Sequence, residues 1–201
     1  MDISGAGVAV AEDQVNSMLM PGMVIPEMSI TLANSFKIKC SSQVLYRRLT
    51  EDDDSVQVGL AFTAMDAENQ LQLATILCQA KNERSYIGAG LDQDELWNFF
   101  FETGFVYPKK FFSMAEQKGQ FKALYSRLYN GCPDIARHQI YQDKGVIYGH
   151  LSMLRYYRRT WLIHHHAAVK SSEHKAGLVV LEHLIQHINE VHHFADAAME
   201  Y

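Results

Sequence analysis

A chain of 201 residues with 48% hydrophobic and 20% charged residues has an ordinary globular composition, with room for one large domain or two small ones. Its formal net charge of -5 argues against broad non-specific binding to DNA, RNA or an anionic membrane, each of which needs a positive field. Cys40, Cys78 and Cys132 lack metal-ligand spacing and read as reduced thiols. No apolar run approaches the length of about 20 residues that a membrane helix requires, so a soluble, cytoplasmic protein without a secretory leader is expected.

Residues 1 to about 65 read as strands. Val56, Val58, Leu60 and Phe62 alternate with Gln57, Gly59 and Ala61, the period of a half-buried antiparallel strand. Ile30 and Leu32, then Phe36, Ile38 and Cys40, repeat that period. Pro21-Gly22, Asn34-Ser35 and the acidic run 51–54 mark turns. Asp66 is placed to cap a helix carrying Leu73, Ile76, Leu77 and Ala80. The pattern predicts a small antiparallel β-barrel closed by a helix over 1–82, with Lys81-Asn82-Glu83-Arg84 as linker.

From 85 to 201 the pattern changes. Asp92 with Glu95, and Ser113 with Glu116, have capping-box spacing for helices through Phe100 and about Tyr129. Strands follow over His138–Gln142, Val146 to about Tyr156 and Thr160–Ala167, with a turn at Gln142-Asp143-Lys144-Gly145. A last helix runs from Ala176 to about His193, its apolar face formed by Leu181, Leu184, Ile185, Ile188 and Val191. His183 and His187 are expected on the solvated face beside Glu182 and Gln186. This predicts an α/β domain with a mostly antiparallel sheet flanked by helices, and an α+β chain as a whole. The dense aromatics from Trp97 to Phe112 read as helix-on-sheet packing, with an acyl-chain groove as the alternative.

Asp2-Ile3-Ser4-Gly5-Ala6-Gly7 is the sharpest local signal. On an extended segment a carboxylate and a hydroxyl two residues apart point to one side, where Asp can accept the N–H donors of a guanine edge. Glycine allows close approach of a ligand. The same string also makes an ordinary capped turn. With the Leu-Met-Pro-Gly turn, Val44-Leu45-Tyr46-Arg47-Arg48 and Val58-Gly59-Leu60-Ala61-Phe62 it resembles the D/N-x-S-x-x-G signature of PilZ domains, over about residues 1–80. The resemblance implies cyclic-di-GMP binding through Asp2, Ser4 and Gly7. In that family an R-x-x-x-R motif precedes the signature, its guanidiniums gripping phosphate and guanine. Here that motif and the first strand are missing, so weak dinucleotide binding is expected, with Arg47-Arg48 either adding a phosphate contact or ending a solvated strand.

Trp161-Leu162-Ile163-His164-His165-His166-Ala167-Ala168 is the most unusual stretch. On a strand His164 and His166 face one way and His165 the other. Metal ligation, acid/base catalysis and packing all compete. Zinc needs further ligands, for which His174 or the His183/His187 pair are weak candidates, and no metal is expected. The order of two helices, hairpin, strand, loop and helix resembles the GNAT acyltransferases from about residue 85 onward. Val146–Met153 takes the place of the third strand and Trp161–Ala167 that of the fourth.

That resemblance implies acyl-CoA, or another acyl carrier, held by the backbone of Ile163, His165 and Ala167 and by Lys170, Lys175 and Gly177 ahead of a helix N-terminus. Against the family loop R/Q-x-x-G-x-G/A, Gly177 takes the first glycine position, His174 the R/Q and Val179 the last. The family's later strands would lie beyond Tyr201. His164 or His166 is the expected general base toward an amine or hydroxyl acceptor. The function implied is a cyclic-di-GMP-responsive signalling protein with an N-acyltransferase-like output. The alternatives are a non-catalytic receptor with a degenerate GNAT fold, or a zinc-dependent enzyme built on the histidines.

Overall fold

The computed structural model describes residues 1–32, 35–50, 55–88, 91–170 and 175–191. Among these residues the fold is mixed α+β with two antiparallel sheets and five α-helices, and its two compact units have Met1–Leu73 and Ala74–Asn189 as their main bodies. The division falls inside a helix, and Asn82–Arg84 form the turn that follows it.

In the first unit β1 (Asp2–Ile3), β2 (Gly7–Asp13), β3 (Val24–Leu32), β4 (Phe36–Leu49) and β5 (Ser55–Ala64) form one sheet in the order β1-β2-β5-β4-β3. The alternation read from the sequence is realised on β5, where Val56, Val58, Leu60 and Phe62 are buried and Gln57 is exposed. On β4 the buried set is Ile38, Cys40, Ser42 and Val44. The expected barrel does not close among the described residues. β1 is only two residues long and pairs with β2 alone, while β3 pairs with β4 alone, so the two end strands are never joined. Pro26 sits at the bulge of edge strand β3, where a missing N–H does least harm.

Helix α1 (Ala67–Lys81) begins at Asp66, whose Oδ1 accepts the N–H of Asn69 at 2.8 Å, and leads into β6 (Ser85–Ile87). In α2 (Gln93–Glu102) the Asp92 side chain accepts from the Asp94 N–H at 2.8 Å, as a cap should. The next helical segment divides into α3 (Phe111–Ala115) and α4 (Lys118–Gly131). Ser113 is not a cap there: it lies inside α3 and its hydroxyl donates to the Lys110 carbonyl. β7 (Ala136–Asp143), β8 (Val146–Tyr157) and β9 (Thr160–Ala168) complete a sheet of order β6-β7-β8-β9, followed by α5 (Ala176–Val191). The β7–β8 turn puts Lys144 and Gly145 at positive φ, the two-residue hairpin that Asp-Lys-Gly favours.

This second sheet has two cores. Leu96, Phe99, Phe100 and Val106 pack with Ile140 and Ile147 on one face; Val180 and Leu184 of α5 pack with Leu151, Met153 and Trp161 on the other. α5 departs from its expected stripe. Leu184 is buried, but Ile185 is exposed and the buried place is taken by His187. No helix among the described residues is long and apolar enough to cross a membrane.

Close approach explains Gly7. A Cβ there would lie 2.2 Å from the Leu60 carbonyl oxygen of the paired strand, which has no side chain to move aside. Gly7→Ala should therefore lower stability in urea unfolding by about 1–3 kcal/mol. Gly119→Ala, where an added Cβ meets nothing in α4, should raise it by about 0.5–1 kcal/mol.

Candidate functional site

In the first unit the motif around Asp2 folds as a tight turn between β1 and β2. The Ser4 N–H donates to the Gly7 carbonyl at 2.9 Å, and the Ala6 N–H donates to Ser4 Oγ at 3.3 Å. The Ala6 carbonyl accepts from the Phe62 N–H of β5, tying the turn to the sheet. Asp2, Ser4 and Gly7 all line one pocket of about 210 Å³, whose far wall is Leu45, Tyr46 and Gly59. Gly59 leaves the space that the Tyr46 ring fills, since a Cβ there would lie 2.1 Å from it. The Arg48 guanidinium lies 4.8 Å from the centre of that ring, and Arg47 donates to the Gln14 carbonyl. A larger cavity of about 750 Å³ lies beside β3 and β4. Among its described lining residues Glu27 and Asp66 face it against the one ammonium of Lys39, a poor balance for an anionic ligand.

The second unit carries its chemistry on the face of the sheet that meets α2 and α4. Antiparallel register sets Ile140 opposite His150 and His138 opposite Ser152, and Ser152 opposite His165. Same-face neighbours displaced by two residues come within reach of one another, so His138, His150 and His165 line up diagonally across three strands. His138 Nε2 is 3.0 Å from the Gly88 carbonyl oxygen. His138 Nδ1 is 3.3 Å from His150 Nε2, and His150 Nδ1 is 2.8 Å from His165 Nδ1. Tyr129 stacks on His138 with ring centres 4.4 Å apart, Phe100 meets His165 edge-on at 4.7 Å, and Phe105 does so at 3.8 Å.

All three rings are buried, and burial drives each below the ordinary histidine range: His138 and His165 to about 4, His150 well below normal. The hydrogen bond to Gly88 works against this at His138. Neighbouring imidazoles add to it at His150 and His165. At neutral pH the row is uncharged. Burial also raises the Tyr129 hydroxyl, and Tyr125 to about 12, so the phenols beside the row stay protonated.

No protein-family model, curated protein or solved structure matches this chain.

The residues expected to act in the second unit are dispersed. His164 is exposed, within the irregular register between β8 and β9. His166 is also exposed, and its Nε2–H donates to the Gly177 carbonyl of α5 at 2.9 Å, on the face opposite the row. Ile163 is exposed, while Ala167 packs against the α2 core. Lys170 and Lys175 are exposed on either side of 171–174, a stretch that includes His174 and lies outside the described residues. His138 and His150 were not singled out by the sequence, although even spacing within β7 and β8 puts them on one face once the hairpin register is known.

Among the described residues no group of three or more His, Cys, Asp or Glu side chains is arranged to hold a metal ion. The imidazoles bond end to end, and their nitrogens do not converge on a point.

The opposite face holds a second buried polar group. Arg137 donates from Nη1 to His187 Nε2 at 2.7 Å and from Nε to the Pro133 carbonyl at 3.1 Å, and its guanidinium lies 5.2 Å from the Trp161 ring centre. Burial lowers Arg137 to about 10, and burial with the adjacent cation lowers His187 to about 3. His187 therefore accepts as a neutral ring. This corrects its expected place on the solvated face of α5, because the buried Arg137 needs an acceptor there.

Two predictions follow from these buried rings. His187→Ala should cost about 1.5–3 kcal/mol, the value of a hydrogen bond to a charged group, and His187→Gln less, because its amide oxygen can still accept. His138 and His187 are neutral when folded and gain protons when unfolded below the ordinary value of 6.5. The unfolded state then binds more protons, so stability falls as pH drops from about 6.5 toward 4, by about 1 kcal/mol per pH unit for each ring. Urea unfolding at a series of pH values measures this slope.

Proposed function

We propose that the first unit is a receptor for a cyclic purine dinucleotide of the cyclic-di-GMP kind and that the second is an N-acyltransferase-like output. One observation carries the receptor reading. Asp2, Ser4 and Gly7, the positions of a guanine-recognition signature, line a single pocket with Tyr46. The Asp2 carboxylate can accept from a guanine N–H edge, Tyr46 offers an aromatic wall, and Arg48 beside that wall brings a guanidinium for phosphate.

The acyltransferase reading draws support from chain order and from one open edge. After β6, the helical segments, the β7–β8 hairpin, β9 and α5 follow the order that the GNAT resemblance implies. Among the described residues β9 pairs only with β8, so its outer N–H and C=O groups are available to an extended acyl-carrier arm.

Calorimetry with cyclic-di-GMP tests the receptor. Weak binding is expected for the chain as it stands, with a marked gain in affinity when a strand bearing Arg-x-x-x-Arg is placed ahead of Met1. Asp2→Ala should abolish binding in both forms. Equal binding by Asp2→Ala, or no binding by either form, would sink the receptor reading.

A further inference from the structure

We infer that His165 Nε2 is a proton-accepting site for an amine or hydroxyl group of a ligand, presented by a three-imidazole wire and covered by the Phe105 ring. The direction of the wire follows from its far end. The Gly88 carbonyl can only accept, so His138 must carry its proton on Nε2 and donate it there. Among the described residues no Asp or Glu acts on any of the three rings, and burial keeps each neutral with a single N–H. His138 Nδ1 is then a bare lone pair, and His150 must donate to it from Nε2. His150 Nδ1 is bare in turn, and His165 must donate to it from Nδ1. The last free lone pair of the row is therefore on His165 Nε2.

That nitrogen is buried, and it has no hydrogen-bond partner among the described residues. A buried acceptor without a donor is costly unless a ligand supplies one. The residue as a whole is 4% exposed. Of the two phenyl rings set edge-on to it, Phe100 is buried and Phe105 is 41% exposed, so Phe105 is the cover on the solvent side. Phe105 follows Gly104, whose φ of +73° ends α2, and precedes Val106, whose N–H is held by the Phe100 carbonyl at 3.0 Å. The covering ring thus sits on a short turn between two anchored points.

On the acyltransferase reading, which supplies only the identity of the ligand, the step balances as follows. The acceptor N–H or O–H gives its proton to His165 Nε2 while the His165 Nδ1 proton passes to His150 Nδ1. The His150 Nε2 proton passes to His138 Nδ1. The positive charge then rests on His138, still hydrogen-bonded to Gly88, and the deprotonated acceptor is left with the lone pair that attacks the acyl carbonyl. His165 would be the catalytic residue, and His150 and His138 positioning residues.

The tautomers are the direct test. Free histidine favours the Nε2–H form, so ¹⁵N–¹H correlation spectra of the whole chain should show His165 as the less common Nδ1–H tautomer, with His138 and His150 as Nε2–H. His150→Phe should return His165 to Nε2–H. Reactivity gives a second measure that does not need that variant to fold. Diethyl pyrocarbonate is attacked by a bare imidazole nitrogen, which gains an ethoxycarbonyl group as carbon dioxide and ethanol leave. Phe105→Ala should speed that modification of His165 about tenfold, as expected when a local opening step is removed.

A His165 Nε2–H tautomer in the native chain, or no acceleration in Phe105→Ala, would overturn the inference. In acyl-transfer assays His165→Gln should lose about 10²–10⁴-fold in kcat, and turnover undiminished in that variant would likewise overturn it. No turnover by the native chain, with the tautomers and the acceleration both found, would instead sink the acyltransferase reading and leave this site standing.

Discussion

The hydrogen bond between His138 and the carbonyl of Gly88 is the interaction on which the row of buried imidazoles in the second unit depends. Gly88 lies directly after β6 at a φ of +80°, a left-handed conformation that glycine adopts without strain. Its N–H donates to the His138 carbonyl at 3.1 Å while its own carbonyl receives His138 Nε2. A three-residue strand thus terminates in a backbone group with no proton to give, and that single property orients every bond farther along. A side-chain hydroxyl or amide in its place could both give and accept, leaving the direction undetermined.

The same sheet solves two burial problems by opposite means. Arg137 and His138 are adjacent on β7 and so point to opposite faces. On one face three neutral rings satisfy one another in series and leave a lone pair over. On the other a guanidinium charged at neutral pH is held by neutral acceptors and an aromatic ring, with His187 giving the lone pair that a carboxylate would ordinarily give. Arginine tolerates this because its charge is delocalised and weakly hydrated. Among the described residues the unit therefore holds its titratable interior without a buried carboxylate, and both faces lose stability together when acid charges the rings of the unfolded chain.

What the sequence made legible was whatever depends on local chemistry. The alternation from Val56 to Phe62, the Asp66 and Asp92 caps, the Asp-Lys-Gly turn and the bounds of β8 and β9 each rest on a few neighbouring residues. What it hid depends on register and on burial. Two bulges interrupt the β8–β9 ladder, so parity counted along Ile163 to Ala167 does not say which histidine meets which strand. His187 read as a surface residue because its neighbours in sequence are polar, whereas the residue that draws it inward, Arg137, is 50 positions away. Strand-rich patterning suggests a barrel, yet closure is decided by whether the end strands pair, and among the described residues β1 pairs with β2 and β3 with β4.

These constraints also bear on where a ligand could be acted on in the second unit. β9 carries two different surfaces within four residues: an outer backbone edge without a strand partner among the described residues, and the inward ring of His165. His164 and His166 on either side are exposed, and His166 is already spent on the Gly177 carbonyl that it tethers to α5. The one whose unpartnered nitrogen is buried is the residue between them. An extended arm paired along the β9 edge would place its reacting end beside the same strand that holds this nitrogen. The separation between arm and base would then be fixed by strand geometry and not by flexible side chains, which is the condition under which positioning contributes most to rate.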